Sequence, residues 1–296
     1  MICIYYTDGV RGSQLPIDRS TEKDVVRAAV QDWAEAAVPE AWRRAAASGR
    51  AALREVRSRA DYEAWYPVFA DSGLVVPTWP RSYGGLDFTT SQAAVVDDVL
   101  SPLNLGRLNP LGLSCVAPAL FAEGTEGQRE RYLPPIVRNE EIWCQLLSEP
   151  GAGSDLASLA MRAVRDGDEW VLSGQKVWTT WAHLAHFAVC LARSDPSRPK
   201  RQGLTMYLVD LSSPGVTVRP LRHLGGEVEF NEVFLDEVRV PDAHRIGPVG
   251  DGWRVVGYTL AGERQMVSGG GSGGVDRIGG GRASSLPGRA AAAGRS

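Results

Sequence analysis

Several things are scarce in this chain, and each scarcity narrows the field. Net charge is scarce: it is −3, which gives no basis for a nucleic-acid partner. Long hydrophobic runs are missing, and none approaches the roughly 18 apolar residues of a membrane span. The opening Met1-Ile2-Cys3-Ile4-Tyr5-Tyr6 lacks a basic flank and soon meets Asp8-Gly9, so no secretory signal is read. Only four cysteines occur, Cys3, Cys115, Cys144 and Cys190. Scattered without metal spacing, they read as buried thiols of a cytoplasmic protein rather than a disulfide framework. Histidine is sparse too. His183 and His186 stand at i and i+3, but no cysteine or acid completes a metal motif, and no metal is expected. Lysine is reduced to Lys23, Lys176 and Lys200, with arginine in its place. That bias speaks of coding composition and not of function.

What is present suffices for a core. The chain of 296 residues is 44% hydrophobic and 23% charged, and its length predicts about two domains. Residues 1–19 show no sustained period and read as a flexible arm. Residues 20–140 read as a helical domain. Ser20 or Thr21 caps a helix in which Val26, Val30, Trp33 and Ala37 recur at helical spacing until Pro39. Residues 41–60 are Ala/Arg-rich, with Gly49 as the weak point. Asp61 caps a helix through Trp65 and Phe69 to Gly73, and Pro67 inside it predicts a kink. Residues 89–100 make another helix. Thr125 and Gln128 form a capping box ahead of a helix that Pro134-Pro135 follow. The aromatic residues at helical spacing read as core.

The period changes near Glu141, and residues 141–248 read as a β domain. Residues 141–147 alternate like a strand. Residues 159–165 and 169–172 flank Asp166-Gly167, a hairpin signal, and Gly174 breaks the second strand. Residues 187–192, 204–211, 216–221 and 230–240 are further short strands, separated by turn clusters that include Gly225-Gly226. Short strands with frequent turns predict a small β-barrel or sandwich. A parallel doubly wound sheet is disfavoured, because no helical crossovers fit between the strands.

Two stretches of this region carry chemistry. In Ser148-Glu149-Pro150-Gly151-Ala152-Gly153-Ser154-Asp155, Pro150 fixes one φ and removes a donor. Gly151 and Gly153 permit backbone angles and close approaches that a side chain would block. Ser154 adds a hydroxyl beside freed N–H groups, the makings of a cradle for a phosphate or a heterocycle edge. The plain alternative is a Gly-Pro turn between strands. The second stretch is Gly174-Gln175-Lys176-Val177-Trp178-Thr179-Thr180, where a large flat face stands beside two hydroxyls, suited to a conjugated ring. The plain alternative is a core Trp with ordinary strand threonines.

The order of residues is more specific than their composition. Leu147 with the Ser148–Asp155 stretch closely resembles the flavin-binding signature of the acyl-CoA dehydrogenases. Gly174 to Thr180 resembles that family's Gly-Gln-Lys-x-Trp-Ile-Thr, with Thr179 in place of the Ile. Pro80-Arg81-Ser82-Tyr83-Gly84-Gly85, Gly124-Thr125-Glu126-Gly127-Gln128 with Tyr132-Leu133-Pro134, and the strands around Glu229-Phe230-Asn231-Glu232 and Val238-Arg239-Val240-Pro241 are also similar to family segments. The resemblance covers roughly residues 61–267.

The resemblance implies an α+β acyl-CoA dehydrogenase-like fold: an N-terminal α-helical domain, a central β-barrel or sandwich domain, and only the first helix of a C-terminal helical bundle, over 249–267. It implies FAD-dependent α,β-dehydrogenation of an acyl-CoA thioester, with hydride passing to flavin N5. By the same resemblance Trp178 packs on the isoalloxazine, and Thr180 serves its N5 edge. Thr179, Gln145, Leu147, Ser148, Gly153 and Ser154 are further flavin-side positions. Glu263, in the Glu263-Arg264 pair on the last helix, is the candidate carboxylate base, with Ser154 and Arg264 toward substrate. A solvated Glu-Arg pair is the plain alternative. Acyl-CoA, an electron-transfer flavoprotein or similar acceptor, and a homo- or hetero-oligomer are the implied partners.

From Ser268 the chain turns to Gly, Ala, Arg and Ser, and residues 268–296 read as disordered. A family member continues into a bundle of on the order of a hundred residues. Its place here reads as a truncation, a frameshift or a natural reduction. Two rival functions go with that reading: an inactive or partner-dependent subunit, and a flavin monooxygenase of the same fold.

Overall fold

The computed structural model describes residues 13–222 and 229–267. The rest of the expected arm, the Gly225-Gly226 turn and the expected tail lie outside the described residues. Contacts divide the chain into two compact units. One holds residues 13–108 and 130–140 of those described, and the other holds 109–129, 141–222 and 229–267. Among the described residues no helix is long and apolar enough to cross a membrane.

The first unit is helical, with α1 Lys23–Ala37, α2 Glu40–Ala47, α3 Arg50–Val56, α4 Arg59–Asp71 and α5 Thr90–Leu100. α6 (Ala117–Glu123) belongs to the second unit, and α7 (Glu126–Val137) divides its residues between the two. Several expected helix ends are corrected. Neither Ser20 nor Thr21 caps α1; its N-cap is Glu22, and the Thr21 hydroxyl accepts from Asp18 N at 3.0 Å. Gly49, at φ 100°, separates α2 from α3, a backbone state that glycine alone adopts readily. Ser58, not Asp61, caps α4, and Asp61 returns the bond from the third helical position. Helix α4 continues past Pro67 to Asp71, and α7 runs through Pro134 and Pro135. Packing around these helices outweighs the donors that proline removes. Part of the expected arm is tied down: Leu15 and Ile17 are buried, and Leu15 N donates to Ser72 O at 3.1 Å. The expected aromatic core is present, with Trp33 5.7 Å from Phe69 and Trp42 5.5 Å from Trp65 between ring centres.

The second unit is built on eight strands: β1 Trp143–Leu146, β2 Arg162–Asp166, β3 Glu169–Thr180, β4 Phe187–Arg193, β5 Leu204–Asp210, β6 Val216–Leu221, β7 Phe230–Pro241 and β8 Arg245–Ile246. They form one sheet in the order β6-β7-β3-β2-β4-β5-β8, with β1 parallel to β4. The two halves of the sheet join at one residue pair, Arg162 with Arg193, and share one core. Trp170 of β3 lies 5.5 Å from Tyr207 of β5, and Cys144, Cys190, Val209, Val233 and Leu235 pack in the same cluster. This is the expected sandwich-like arrangement, without helical crossovers. Two local expectations differ. Residues 159–161 are not strand, and Gly174 does not end β3; the strand runs on through two register shifts. The last helix, α8 (Gly252–Val267), packs in this unit against a π-helical turn over Gly112–Val116.

Candidate functional site

The loop after β1 closes on itself. Glu149 N donates to Ala152 O at 2.9 Å, and Ala152 N returns to Glu149 O at 3.0 Å, with Pro150 and Gly151 at the turn. Neither Gly151 nor Gly153 takes the positive φ that glycine favours, and a Cβ at either would meet nothing within 4 Å. Sequence reasoning assigned them unusual backbone angles; their contribution is open space above the loop. Gly153 and Ser154 are exposed, Ser148 is half-buried, and Leu147 is buried.

The second stretch lies on β3, where pairing with β7 slips between Lys176 and Thr179. Inside that bulge Trp178 sits at φ 60° and is 62% exposed. A bulky side chain in left-handed backbone is an outlier that the surroundings must hold in place, and bulges of this kind re-aim side chains beside active sites. Phe230 meets the Trp178 ring edge-on at 6.0 Å. Thr179 is buried. Asn231 Nδ2 donates to its carbonyl at 2.9 Å, and His183 Nδ1 lies 3.1 Å from Asn231 Oδ1. Burial pulls the His183 pKa below its ordinary value, and the Asn231 bond opposes this in part. His186 Nδ1 accepts from Ile142 N at 3.1 Å. His186 thus braces backbone, and His183 braces the Asn231 side chain. Thr180, the last residue of β3, is half-buried.

Sequence reasoning missed what lies between the two stretches. Lys176 is fully buried and donates to Leu147 O at 2.9 Å, Leu191 O at 2.8 Å and Glu149 Oε1 at 2.9 Å. The Glu149 carboxylate also accepts from Ala160 N at 2.7 Å and Met161 N at 2.9 Å. Val177 N donates to Ser148 O at 2.9 Å. The signal was available, since a lysine in a strand otherwise alternating toward the core needs a carboxylate partner.

α8 brings the candidate base to β1. Gly262 lets the helix lie against the π-helical turn: a Cβ there would stand 1.6 Å from Ser114 O. The next residue, Glu263, then reaches Gln145 of β1, whose Nε2 lies 3.4 Å from Glu263 Oε2. The neighbouring Cys115 thiol is pushed up to about 12 by burial and, to a lesser degree, by the Glu263 charge. Arg264 is exposed. Thr259, one turn earlier on α8, is buried.

Three buried side-chain atoms of these elements have no partner among the described residues: Gln145 Oε1, Thr179 Oγ1 and Thr259 Oγ1. Buried polar atoms are rarely left so unless something else meets them. Together with the open space over Gly151 and Gly153 and the exposed Trp178 ring, they fit a flat, hydrogen-bonding group such as a flavin. Among the expected residues, Gln145 and Glu263 are brought into contact. Leu147 and Ser148 are bound to the β3 stretch. Gly153, Ser154 and Arg264 are exposed on the same unit, with no measured contact to the others.

Comparison with known proteins gives the family. Residues 20–140 match the family model of the acyl-CoA dehydrogenase N-terminal domain, and residues 144–238 match that of the middle domain. The chain is 48% identical over 199 residues to the acyl-CoA dehydrogenase FadE34 of Mycobacterium tuberculosis, covering 67% of this chain and 28% of that one. It resembles the Tcur3481-Tcur3483 steroid ACAD G363A variant at 31% identity and a TM-score of 0.65, over 84% of this chain and 64% of the other. The ChsE4-ChsE5 complex from Mycobacterium tuberculosis follows at 26% identity and a TM-score of 0.62, over 88% and 61%. The chain thus spans less than two thirds of each of these relatives.

Proposed function

The chain belongs to the acyl-CoA dehydrogenase family, whose members are FAD-dependent flavoproteins, and from that premise we propose that it dehydrogenates an acyl-CoA thioester at the α,β positions. The observation that carries this reading is the meeting of Glu263 of α8 with Gln145 of β1, 3.4 Å apart. A candidate base stands against the strand that leads into the flavin-type loop.

In this reading Trp178, Thr179, Thr180, Gln145, Leu147, Ser148, Gly153 and Ser154 hold FAD. Bound FAD supplies the acceptor for the hydride. Glu263 removes the substrate α-proton onto a carboxylate oxygen, and Gln145 Nε2 orients that carboxylate. Ser154 and Arg264, both exposed, engage the acyl-CoA. The bulge keeps the Trp178 face free, so a ring stacked there also excludes water from one side of the reacting bond. A bulky polycyclic acyl group is the proposed substrate class, by extension from the relative described as a steroid ACAD. An electron-transfer flavoprotein or similar acceptor, and assembly with a further chain of the same family, complete the proposal. A cytoplasmic setting accompanies it and suits three buried free thiols.

The test is the visible spectrum of the purified protein. A flavin absorbance that bleaches when acyl-CoA is added without oxygen is the expected result. Steroid-type and straight-chain thioesters compared side by side read the substrate class. A protein that takes up no FAD rejects the proposal, and one that holds FAD but is not bleached by any thioester points to the monooxygenase alternative.

A further inference from the structure

Resting on that flavin-binding reading, we propose that Glu149 and Lys176 are positioning residues, a buried clamp that sets the Ser148–Asp155 loop and the Trp178 bulge relative to each other. The reasoning starts from the bulge. Ladder pairing between β3 and β7 holds its register from Gly174 to Lys176 and resumes at Thr179. Trp178 therefore lies in a gap that sheet hydrogen bonds do not fix. Asn231 holds the far end of the gap through the Thr179 carbonyl. Lys176 and Val177 hold the near end, and both reach the β1 loop, through Leu147 O and Ser148 O.

The polar accounting of the pair is complete. An ammonium has three donors, and Lys176 uses them on Leu147, Glu149 and Leu191, which places one side chain across the end of β1, the loop and β4. The Glu149 carboxylate extends the same tie to Ala160 N and Met161 N at the entry to β2. One ion pair thereby fixes four backbone points from three segments, the end of β1, β4 and the entry to β2. Stability alone does not require it, because apolar side chains of similar volume commonly hold a core as well as a buried ion pair does. What apolar groups do not supply is direction. Here the direction falls on the two segments proposed to face the cofactor, while neither Glu149 nor Lys176 has an exposed atom to offer a ligand beyond the 9% of Glu149.

The experiment compares the double variant Glu149→Gln/Lys176→Met with the unaltered chain. Removing both charges leaves no unpaired ion, so the variant is expected to fold with an unfolding midpoint close to that of the original. Its FAD dissociation constant, from titration of tryptophan fluorescence, is expected to rise by about tenfold or more, as losing one hydrogen bond to a charged group commonly does. The visible circular dichroism of bound FAD is expected to change with it. Val238→Ala, in the core of β7 away from the bulge, serves as the control, lowering stability with FAD affinity retained. Unchanged FAD affinity and dichroism in the double variant overturn the proposal, and so does an equal loss of affinity in the Val238→Ala control. If the double variant does not fold, Glu149→Asp, which keeps the charge opposite Lys176 and shortens its reach, is read by the same criteria.

A second readout does not depend on the cofactor. Hydrogen exchange of the apoprotein is expected to show segments 147–152 and 176–181 losing protection together in the variant, with β5 unchanged. Protection lost in one segment only, or in neither, overturns the clamp. If the unaltered chain takes up no FAD, the functional reading fails while this exchange measurement still decides the inference.

Discussion

The helical unit and the sheet unit treat strained backbone and buried polarity in different ways. Among the described residues of the helical unit the non-glycine residues with positive φ are Asp87, Asn104 and Asn139, side chains that tolerate left-handed backbone. Several of its buried polar groups end on backbone carbonyls, as Tyr62 OH does on Gly106 O at 2.8 Å and Trp65 Nε1 on Ala37 O at 2.9 Å. In the sheet unit the positive φ angles include two tryptophans, Trp178 and Trp181, and Glu237. Gln145, Thr179 and Thr259 carry unpartnered buried atoms there, and an ion pair is sealed between Glu149 and Lys176. A region that serves its own packing places left-handed backbone on residues that tolerate it. A region shaped to receive something else retains strain and open hydrogen-bonding positions.

This contrast breaks most readily at Glu263. Glu263→Gln keeps the size and removes the proton acceptor, so reduction by acyl-CoA is expected to fall by roughly a thousandfold with FAD still bound. Anaerobic stopped-flow absorbance reads both. Reduction at the original rate would move the base elsewhere.

The next effect sets one tryptophan against another. Trp33→Ala, in the helical core, is expected to lower unfolding stability by about 3–5 kcal/mol, because Trp33 is 2% exposed. Trp178→Ala is expected to leave denaturant unfolding almost unchanged and to weaken FAD retention. If both variants lose stability alike, Trp178 is packing rather than site. Trp178→Gly sharpens the point. Relieving left-handed strain is expected to raise apoprotein stability by about 1 kcal/mol, again with weaker FAD binding. Thr180→Val removes one hydroxyl and is expected to alter the rate of flavin reduction more than the unfolding midpoint.

The smallest effect concerns acid. Asp242 accepts from Arg245 Nε at 3.0 Å and Trp170 Nε1 at 2.7 Å. First the Arg245 bond and then the Trp170 bond pull its carboxyl down to about 2 from 3.8. A carboxyl depressed by folding adds stability that is full above its ordinary value and is lost as the pH falls toward the folded one. The sheet unit is therefore expected to lose stability between about pH 4 and pH 2, and Asp242→Asn to flatten that slope in acid titrations followed by circular dichroism. A variant with the original slope would remove Asp242 from the account.

Pattern and local chemistry made much of the molecule legible before any fold was known. The change of period near Glu141 separated helices from strands, and β4 to β7 lie within a residue or two of where alternation and turn residues placed them. The Thr125 and Gln128 capping box is present, with bonds of 3.0 and 3.2 Å. These are local effects, set by neighbours three or four positions away. The order of residues from Ser148 to Asp155 and from Gly174 to Thr180 likewise marked both loops of the candidate site. The helix through Pro134 and Pro135, the burial of Leu15, and the continuation of β3 past Gly174 were decided by tertiary contacts, because packing repaid what local propensity opposed. The same holds for the site's inner parts. Lys176 reads as one polar residue in a strand until the fold brings Leu147, Glu149 and Leu191 within 3 Å of its ammonium. Glu263 reads as half of an exposed pair until Gly262 lets its helix close on Ser114 and turns the carboxylate to Gln145. Sequence spacing records which residue types are available; only the folded chain, by removing water from between distant segments, determines which of them meet.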